Sequence, residues 1–282
     1  MNNKRISDTT PQDLAQAWGE IKAKKPLVHH ITNSVAVALQ ANICLAVGAS
    51  PLMSRYPDEA EELARLAQGL LVNLGTPSTA ALETVTRAMT EIDALNARGE
   101  RTRYSLLDPV GYGASAFRVS STDSLLARHK FSVIKGNAGE ISLMAKLGGA
   151  TRGVDAESSG DVKRAVITTA QKYNCVVCAT GEVDYISDGQ SAAAVRGGSS
   201  LLIYLSGSGC ALGTVILSAV AACENAALGA LTGLVAMGIA SERASLEAPH
   251  SGTFAPRLVD AFFTLSANDF LKSSGRWEVL AQ

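Results

Sequence analysis

Aromatic residues are scarce in this chain, at 5% of 282, and neither sign of charge prevails, with 25 Lys and Arg against 26 Asp and Glu. Few rings leave little on which to stack nucleobases, and a balanced charge gives no electrostatic footprint for nucleic acid or an anionic membrane. The five cysteines are an odd number spread along the chain, which is not a disulfide framework and suits a reducing compartment. Met1–Thr10 is polar and lacks the apolar segment of a secretory signal. Every apolar stretch is broken by Gly, Ser, Asn or Glu before it reaches the length of a membrane span. These absences predict a cytoplasmic protein that engages neither nucleic acid nor membrane. Three catalytic signatures are also missing: G-x-x-x-x-G-K-[ST], G-x-S-x-G and H-E-x-x-H. Any phosphate must therefore be held in another way.

What the chain does have is a large apolar fraction, 47%, enough for a sizeable core. Short apolar runs alternate with helical stretches. Pro26–Ile31, Leu70–Gly75, Tyr104–Pro109, Phe131–Gly136 and Cys175–Gly181 read as strands. Pro11–Lys25, Ser34–Val47, Asp58–Gln68, Thr79–Arg98, Asn137–Leu147 and Asp161–Asn174 read as helices. Runs buried on both faces and separated by helices predict an α/β fold with a mostly parallel sheet between helix layers. Asp188-Gly189 predicts one antiparallel hairpin. After Cys210 the pattern is all helical, over Cys210–Cys223, Ala226–Ala244 and Pro256–Lys272. Connections are short and no linker stands out, which predicts a single domain over residues 1–282.

In open parallel sheets, ligands bind beyond the carboxyl ends of the strands. The polar groups and glycines just after the apolar runs are thus the candidates: Asn73-Leu-Gly75, Asp108 to Gly113, Lys135-Gly-Asn137, Thr180-Gly181 and Ser206–Gly209. Ser206-Gly-Ser-Gly-Cys210 precedes a helix, where backbone N–H groups and the helix dipole favour an anion and would lower a thiol pKa. An ordinary loop before a core cysteine explains it equally well. Asp108, ending a buried strand, needs a cation or a hydrogen-bonding partner, and a magnesium-associated carboxylate or a turn cap would satisfy that need. Gly111-x-Gly113-x-x-Ala116 is not taken as a dinucleotide fingerprint, because no helix start is evident and Asp108 would repel a pyrophosphate. Lys135 offers a point charge to phosphates. Asn137 and Glu140 have the spacing of a capping box, which is compatible with Glu140 also holding a metal-bound water. Thr180 is placed to touch a phosphate or simply to end a strand. Cys175 and Cys178 lie three apart on a strand and face opposite sides, so they are not a redox pair, and His29 and His30 diverge in the same way. Asn33 reads as a ligand contact or a helix cap, and Met53 as core.

Eight segments, taken in order, resemble the hydroxyethylthiazole kinase family of thiamin salvage, within the ribokinase-like superfamily. They are PLVHHITNSVAVALQAN, LAVGASPLM, LLVNLGT, LLDPVGYGASAFR, IKGNAGEI, TGEVDYISDG, SGSGCAL and HSGTFAPRLVDAF, and they span nearly the whole chain. The resemblance implies a three-layer α/β/α fold that transfers phosphate from ATP, with Mg2+, to the hydroxyl of 4-methyl-5-(2-hydroxyethyl)thiazole. It implies that Asp108 and Glu140 organise Mg2+, and that Lys135, Thr180 and Asn137 serve ATP. Gly207, Ser208 and Gly209 would form an anion hole, with Cys210 beside the substrate hydroxyl. Asn33, Met53 and Gly207 would line the thiazole pocket. It also implies a homotrimer with sites between subunits. Three departures stand out: Lys135 where arginine is usual, Ser206 where threonine is frequent, and His30 where a smaller residue is common, which would narrow the pocket.

Related sugar and pyrimidine kinases carry an aspartate base at the position of Cys210. A weak base suffices where the transition state is loose, so Cys210 reads as a positional base or orienting group. Three other functions compete: a kinase for another small alcohol, such as hydroxymethylpyrimidine or a sugar; a hydrate-repair dehydratase of the same fold; and a ligand-binding homologue without catalysis. Cys210 in place of aspartate weighs against the first two; Lys135 in place of arginine leaves the third open.

Overall fold

The computed structural model describes residues 4–99, 102–146 and 159–281, the side chains of 159–161 excepted. Its strands are β1 (Leu27–Ile31), β2 (Ser50–Met53), β3 (Gly69–Asn73), β4 (Tyr104–Asp108), β5 (Val133–Asn137), β6 (Val176–Thr180), β7 (Asp184–Ser187), β8 (Ala192–Val195) and β9 (Trp277–Val279). They form one sheet in the order β2-β1-β3-β4-β5-β6-β7-β8-β9. The pairings from β2 through β6 are parallel, and the three from β6 to β9 are antiparallel.

The helices are α1 (Pro11–Lys24), α2 (Val37–Val47), α3 (Ala60–Leu66), α4 (Thr79–Arg98), α5 (Ala116–Arg128), α6 (Ala138–Ala145), α7 (Ser159–Tyr173), α8 (Ser208–Cys223), α9 (Ala226–Glu247), α10 (Ser251–Thr264) and α11 (Ala267–Leu271). Helix α4 shows how local sequence sets an element. Ser78 accepts from the Ala81 N–H at its start, and Val85, Ala88, Met89, Ile92 and Leu95 recur at helical spacing on its buried face. Helix α1 opens on a capping box between Thr10 and Asp13, with Pro11 at its first turn.

Alternation along each strand feeds two separate cores. Leu71, Leu106, Val133 and Val176 stand in register and face α1, α2 and α8–α10. Val72, Leu107, Ile134 and Val177, one residue further on, face α3–α7. The three-layer α/β/α architecture follows from that period of two. Cys178 belongs to the first core and Cys175 to the second, so the two thiols lie on opposite faces, as their spacing predicts. On β1, His30 bonds Thr214 of α8 while His29 bonds the Ser54 carbonyl. The hairpin at Asp188-Gly189 joins β7 to β8, with Gly189 at positive φ.

Several expectations are corrected. Strand β2 is added at the sheet edge, where Pro51 is tolerated because one side of the strand needs no ladder donor. Helix α2 starts at Val37 and not at Ser34, because Asn33 first turns the chain by accepting from the N–H groups of Val35 and Ala36. The run Pro256–Lys272 is two helices, α10 and α11, interrupted at Leu265 and restarted by a capping box at Ser266 and Asp269. The region after Cys210 is not all helical, since Trp277–Val279 adds β9 to the far edge. The expected helix end at Leu147 lies outside the described residues.

Candidate functional site

Parallel strands present all their carboxyl ends at one edge of the sheet, and the polar residues collect there. Asn73 ends β3 and stands in register with Asp108 at the end of β4. Asn137 ends β5 beside Thr180 at the end of β6. The first turn of α8 lies over this edge. Gly207 caps it with φ +86°, and a Cβ there would come 3.1 Å from Ala36 Cβ, so the turn needs glycine on both counts.

Asp108 and Lys135 form a buried ion pair at 2.9 Å, with side chains 1% and 4% exposed. The same carboxylate oxygen, Oδ2, accepts from Asn73 Nδ2 at 2.9 Å. Lys135 Nζ also donates to the Gly209 carbonyl at 2.9 Å. Asn73 Oδ1 accepts from Asn33 Nδ2 at 2.7 Å, and Asn33 Nδ2 reaches Cys210 Sγ at 3.5 Å. One hydrogen-bonded network thus joins Cys210, Asn33, Asn73, Asp108, Lys135 and Gly209.

Burial drives the electrostatics. It pushes Asp108 up from the ordinary carboxylate range, against the pull of Lys135 and the Asn73 amide. It opposes charge on Lys135 too, but Asp108, Cys210 and Glu140 together outweigh it and raise Lys135 above its ordinary value. Glu140 is pushed up by burial and by Asp108. Its oxygens accept from the N–H groups of Asn137 and Gly111, both at 2.7 Å, and Asn137 Oδ1 accepts from the Glu140 N–H, which closes the expected capping box.

The site residues named from the sequence divide into those the structure joins and those it sets nearby. Asn33, Asp108, Lys135, Gly209 and Cys210 share the network. Glu140 stands beside it through its field on Asp108 and Lys135. Thr180 donates to the Gly136 carbonyl at 3.3 Å and lies half-buried at the same edge. Met53 ends β2 in register with His30, half-buried at the outer strand.

Five readings change. The Cys210 thiol is raised, not lowered, because it is buried and faces the Asp108 carboxylate, and these outweigh Lys135 and the Asn73 and Asn33 amides. Lys135 is not a free arm toward phosphate; its ammonium is held between Asp108 and Gly209. Ser208 spends its N–H on the Leu205 carbonyl and its hydroxyl on the Leu202 carbonyl, so Gly209 and Cys210 carry the free N–H groups of the first turn. His30 does not narrow a pocket, being fully buried between β1 and α8. A helix does start after Gly111-x-Gly113: Ser115 caps α5 by accepting from the Arg118 N–H, which leaves the charge of Asp108 as the ground against a pyrophosphate there.

Asn73 stands among the strand-end candidates, as the amide ending the otherwise apolar run Leu70–Val72, but without a role assigned to it, and Arg118 was not a candidate. Arg118 carries no such signal, yet its guanidinium gathers the carbonyls of Leu74, Gly75 and Val110 at 2.7–2.9 Å and braces the two loops beside Asp108.

A model of the hydroxyethylthiazole kinase family matches residues 19–268. The chain is 38% identical over 267 residues to hydroxyethylthiazole kinase from Caldivirga maquilingensis, covering 95% of this chain and 96% of the other. It is 37% identical over 275 residues to that of Archaeoglobus fulgidus, covering 96% and 97%. The solved structure of the hydroxyethylthiazole kinase protein from Pyrococcus horikoshii superposes with a TM-score of 0.85 at 32% identity, covering 95% of this chain and 99% of that one. A pyridoxal kinase from Staphylococcus aureus, solved with AMP-PCP and pyridoxal, shares the fold alone, with a TM-score of 0.58 at 13% identity over 77% of this chain and 88% of that one.

Proposed function

The chain belongs to the hydroxyethylthiazole kinase family, and from that premise we propose that it transfers the γ-phosphoryl group of ATP to the hydroxyl of 4-methyl-5-(2-hydroxyethyl)thiazole in thiamin salvage. The observation that carries this reading is the network at the sheet edge. It links one carboxylate, Asp108, and a buried ammonium, Lys135, to the first turn of α8, with a second carboxylate, Glu140, beside it.

The residues suit Mg2+. Asp108 and Glu140 are two buried acids beside one buried cation, Lys135; burial raises both acids, so a cation that lets both ionise is favoured there. Among the described residues no three His, Cys, Asp or Glu cluster as a ready-made metal cage. A hard cation that keeps waters and takes one or two carboxylates plus phosphate oxygens fits such a site. Bound there by Asp108 and by a water on Glu140, Mg2+ would neutralise phosphate charge.

The chain's own residues do the rest. The N–H groups of Gly209 and Cys210, at the positive end of α8, face the charge that grows on the transferred phosphoryl oxygens. Lys135 steadies that turn through the Gly209 carbonyl, and Thr180 and Asn137 line the nucleotide side. Asn33, Met53 and the Gly207 turn hold the alcohol. Cys210, held as a thiol by burial and by the facing Asp108 carboxylate, orients the hydroxyl; it carries its own proton and accepts none, so the hydroxyl proton passes late to an oxygen of the transferred phosphoryl group. Cys210→Ser lowers kcat by about tenfold or less, because the serine hydroxyl can still orient the alcohol and late proton loss asks little of the protein; complete loss of turnover with ATP binding intact would require a more essential thiol.

Val35, Ile203 and Tyr204 are 64%, 77% and 68% exposed and flank the site, two residues beyond Asn33 and just before Gly207. Such apolar surface beside a site is what a second subunit would cover, and a homotrimer with shared sites is the assembly this supports. Light scattering on the purified chain tests it. No helix among the described residues is long and apolar enough to cross a membrane, and a cytoplasmic site of action is proposed with the function.

The deciding experiment supplies Mg-ATP and the thiazole alcohol to the purified chain and looks for the phosphate ester by mass spectrometry, with hydroxymethylpyrimidine and ribose in parallel. Ester from the thiazole alone is expected. No ester from any alcohol, from folded protein, overturns the reading in favour of a dehydratase or a ligand-binding protein.

A further inference from the structure

We propose that Asn73 is the positioning residue that couples the alcohol half of the site to its phosphate half, an inference that rests on the kinase reading above. Asn73 is 6% exposed and stands opposite Asp108 in the sheet. Its amide is oriented by all of its neighbours. Oδ1 accepts from Asn33 Nδ2 at 2.7 Å and from the Gly75 N–H at 3.0 Å, while Nδ2 donates to Asp108 Oδ2 at 2.9 Å. Turned over, it would set donors against donors and an oxygen against the carboxylate, so one orientation satisfies the site.

Asn33 and Cys210 lie on one side of this amide, where the alcohol is placed. Asp108 and Lys135 lie on the other, where the cation and phosphates are placed. Drawing Asp108 Oδ2 toward a cation moves the acceptor of Asn73 Nδ2. The shift passes to Asn33, whose Oδ1 also holds the Val35 and Ala36 N–H groups ahead of α2. Asn33 has little freedom to absorb it: a Cβ on Gly75 would lie 2.7 Å from Asn33 Nδ2, so the asparagine is seated against that glycine. Both ligands therefore select the same arrangement of one buried amide pair. Each must then tighten the binding of the other by the same factor.

Isothermal titration of the intact chain tests this. The probes are the β,γ-methylene analogue of ATP with Mg2+, and 4-methyl-5-(2-hydroxyethyl)thiazole. In the wild type, saturating alcohol is expected to tighten nucleotide binding by at least about 5-fold, the lower end of common coupling strengths. In Asn73→Ala that factor falls to about 2 or less, while the nucleotide alone binds within about threefold of wild type. Gly75→Ala displaces Asn33 from the same joint without removing a polar group, and it also loses the coupling. Wild-type coupling retained in either variant overturns the proposal. So does a wild type that binds both ligands without coupling, which would leave the kinase reading intact. If neither variant binds the nucleotide on its own, Asn73 belongs to the framework and the proposal fails. A wild type that binds neither probe overturns the kinase reading together with this one.

Discussion

The two halves of the sheet are built from similar apolar residues but do different work. From β1 to β6 the strands run in parallel, and their last residues, Asn73, Asp108, Asn137 and Thr180, gather at one edge. From β7 to β9 the strands alternate in direction. Their ends are consumed by local turns, as at Asp188, which accepts from the Gln190 and Ser191 N–H groups. A parallel arrangement leaves strand ends without partners of their own, so polar groups there are free to meet one another and a ligand. An antiparallel arrangement satisfies its ends within the chain and is left with a structural role.

The contrast is put under greatest strain at Asp108. Asp108→Asn keeps the shape but removes the charge, and kcat is expected to fall by about 10²–10³-fold. Steady-state kinetics across Mg2+ concentrations measures it; unchanged turnover and unchanged magnesium dependence would remove Asp108 from the site. The variant also removes the ion-pair partner of buried Lys135, so its Tm should fall.

The next effect concerns His30, buried and neutral in the parallel half. Burial is the main cause that takes it from its ordinary 6.5 to about 4. Between those values the unfolded chain binds a proton that the folded chain does not, so stability is full above pH 6.5 and is lost as pH falls toward 4. The loss is on the order of 3 kcal/mol over that window. Urea unfolding at pH 7.5 and 4.5 should show a smaller acid loss for His30→Gln than for the wild type. Equal slopes would mean that His30 does not contribute.

The smallest effect is assigned to the antiparallel half. Arg276 grips Glu242 of α9 with two hydrogen bonds at 2.9 and 2.7 Å, and both side chains are partly exposed. Arg276→Ala should cost about 1 kcal/mol of stability with kcat/KM unchanged. A loss of activity comparable to that of Asp108→Asn would erase the distinction between the halves.

Much of this was legible in the sequence where one residue breaks a uniform run. Asp108 after Leu106–Leu107 and Lys135 after Val133–Ile134 announce themselves as polar groups in apolar strands. So does the capping box of Asn137 and Glu140, whose spacing is local. What stayed hidden depends on neighbours distant in the chain. That Lys135 bonds Asp108 and Gly209 follows from β4 lying beside β5 under α8, which no local pattern reports. The rise in the Cys210 pKa has the same origin: the helix start is visible in the sequence, whereas the carboxylate facing the thiol is not. Strand β2 was obscured by Pro51, and β9 by having three residues at an edge.

The Trp18 ring lies 6.5 Å from that of Phe262 and 5.2 Å from that of Phe270, and its indole N–H donates to the Leu265 carbonyl, 247 residues along the chain. During synthesis α1 therefore emerges long before its partners exist. At about 5–20 residues per second, Trp18 waits on the order of ten seconds or more for the residues that cover it. Over that interval its apolar face is left without the residues that cover it. Closing so long a loop also makes the docking of α1 a late and slow event in refolding.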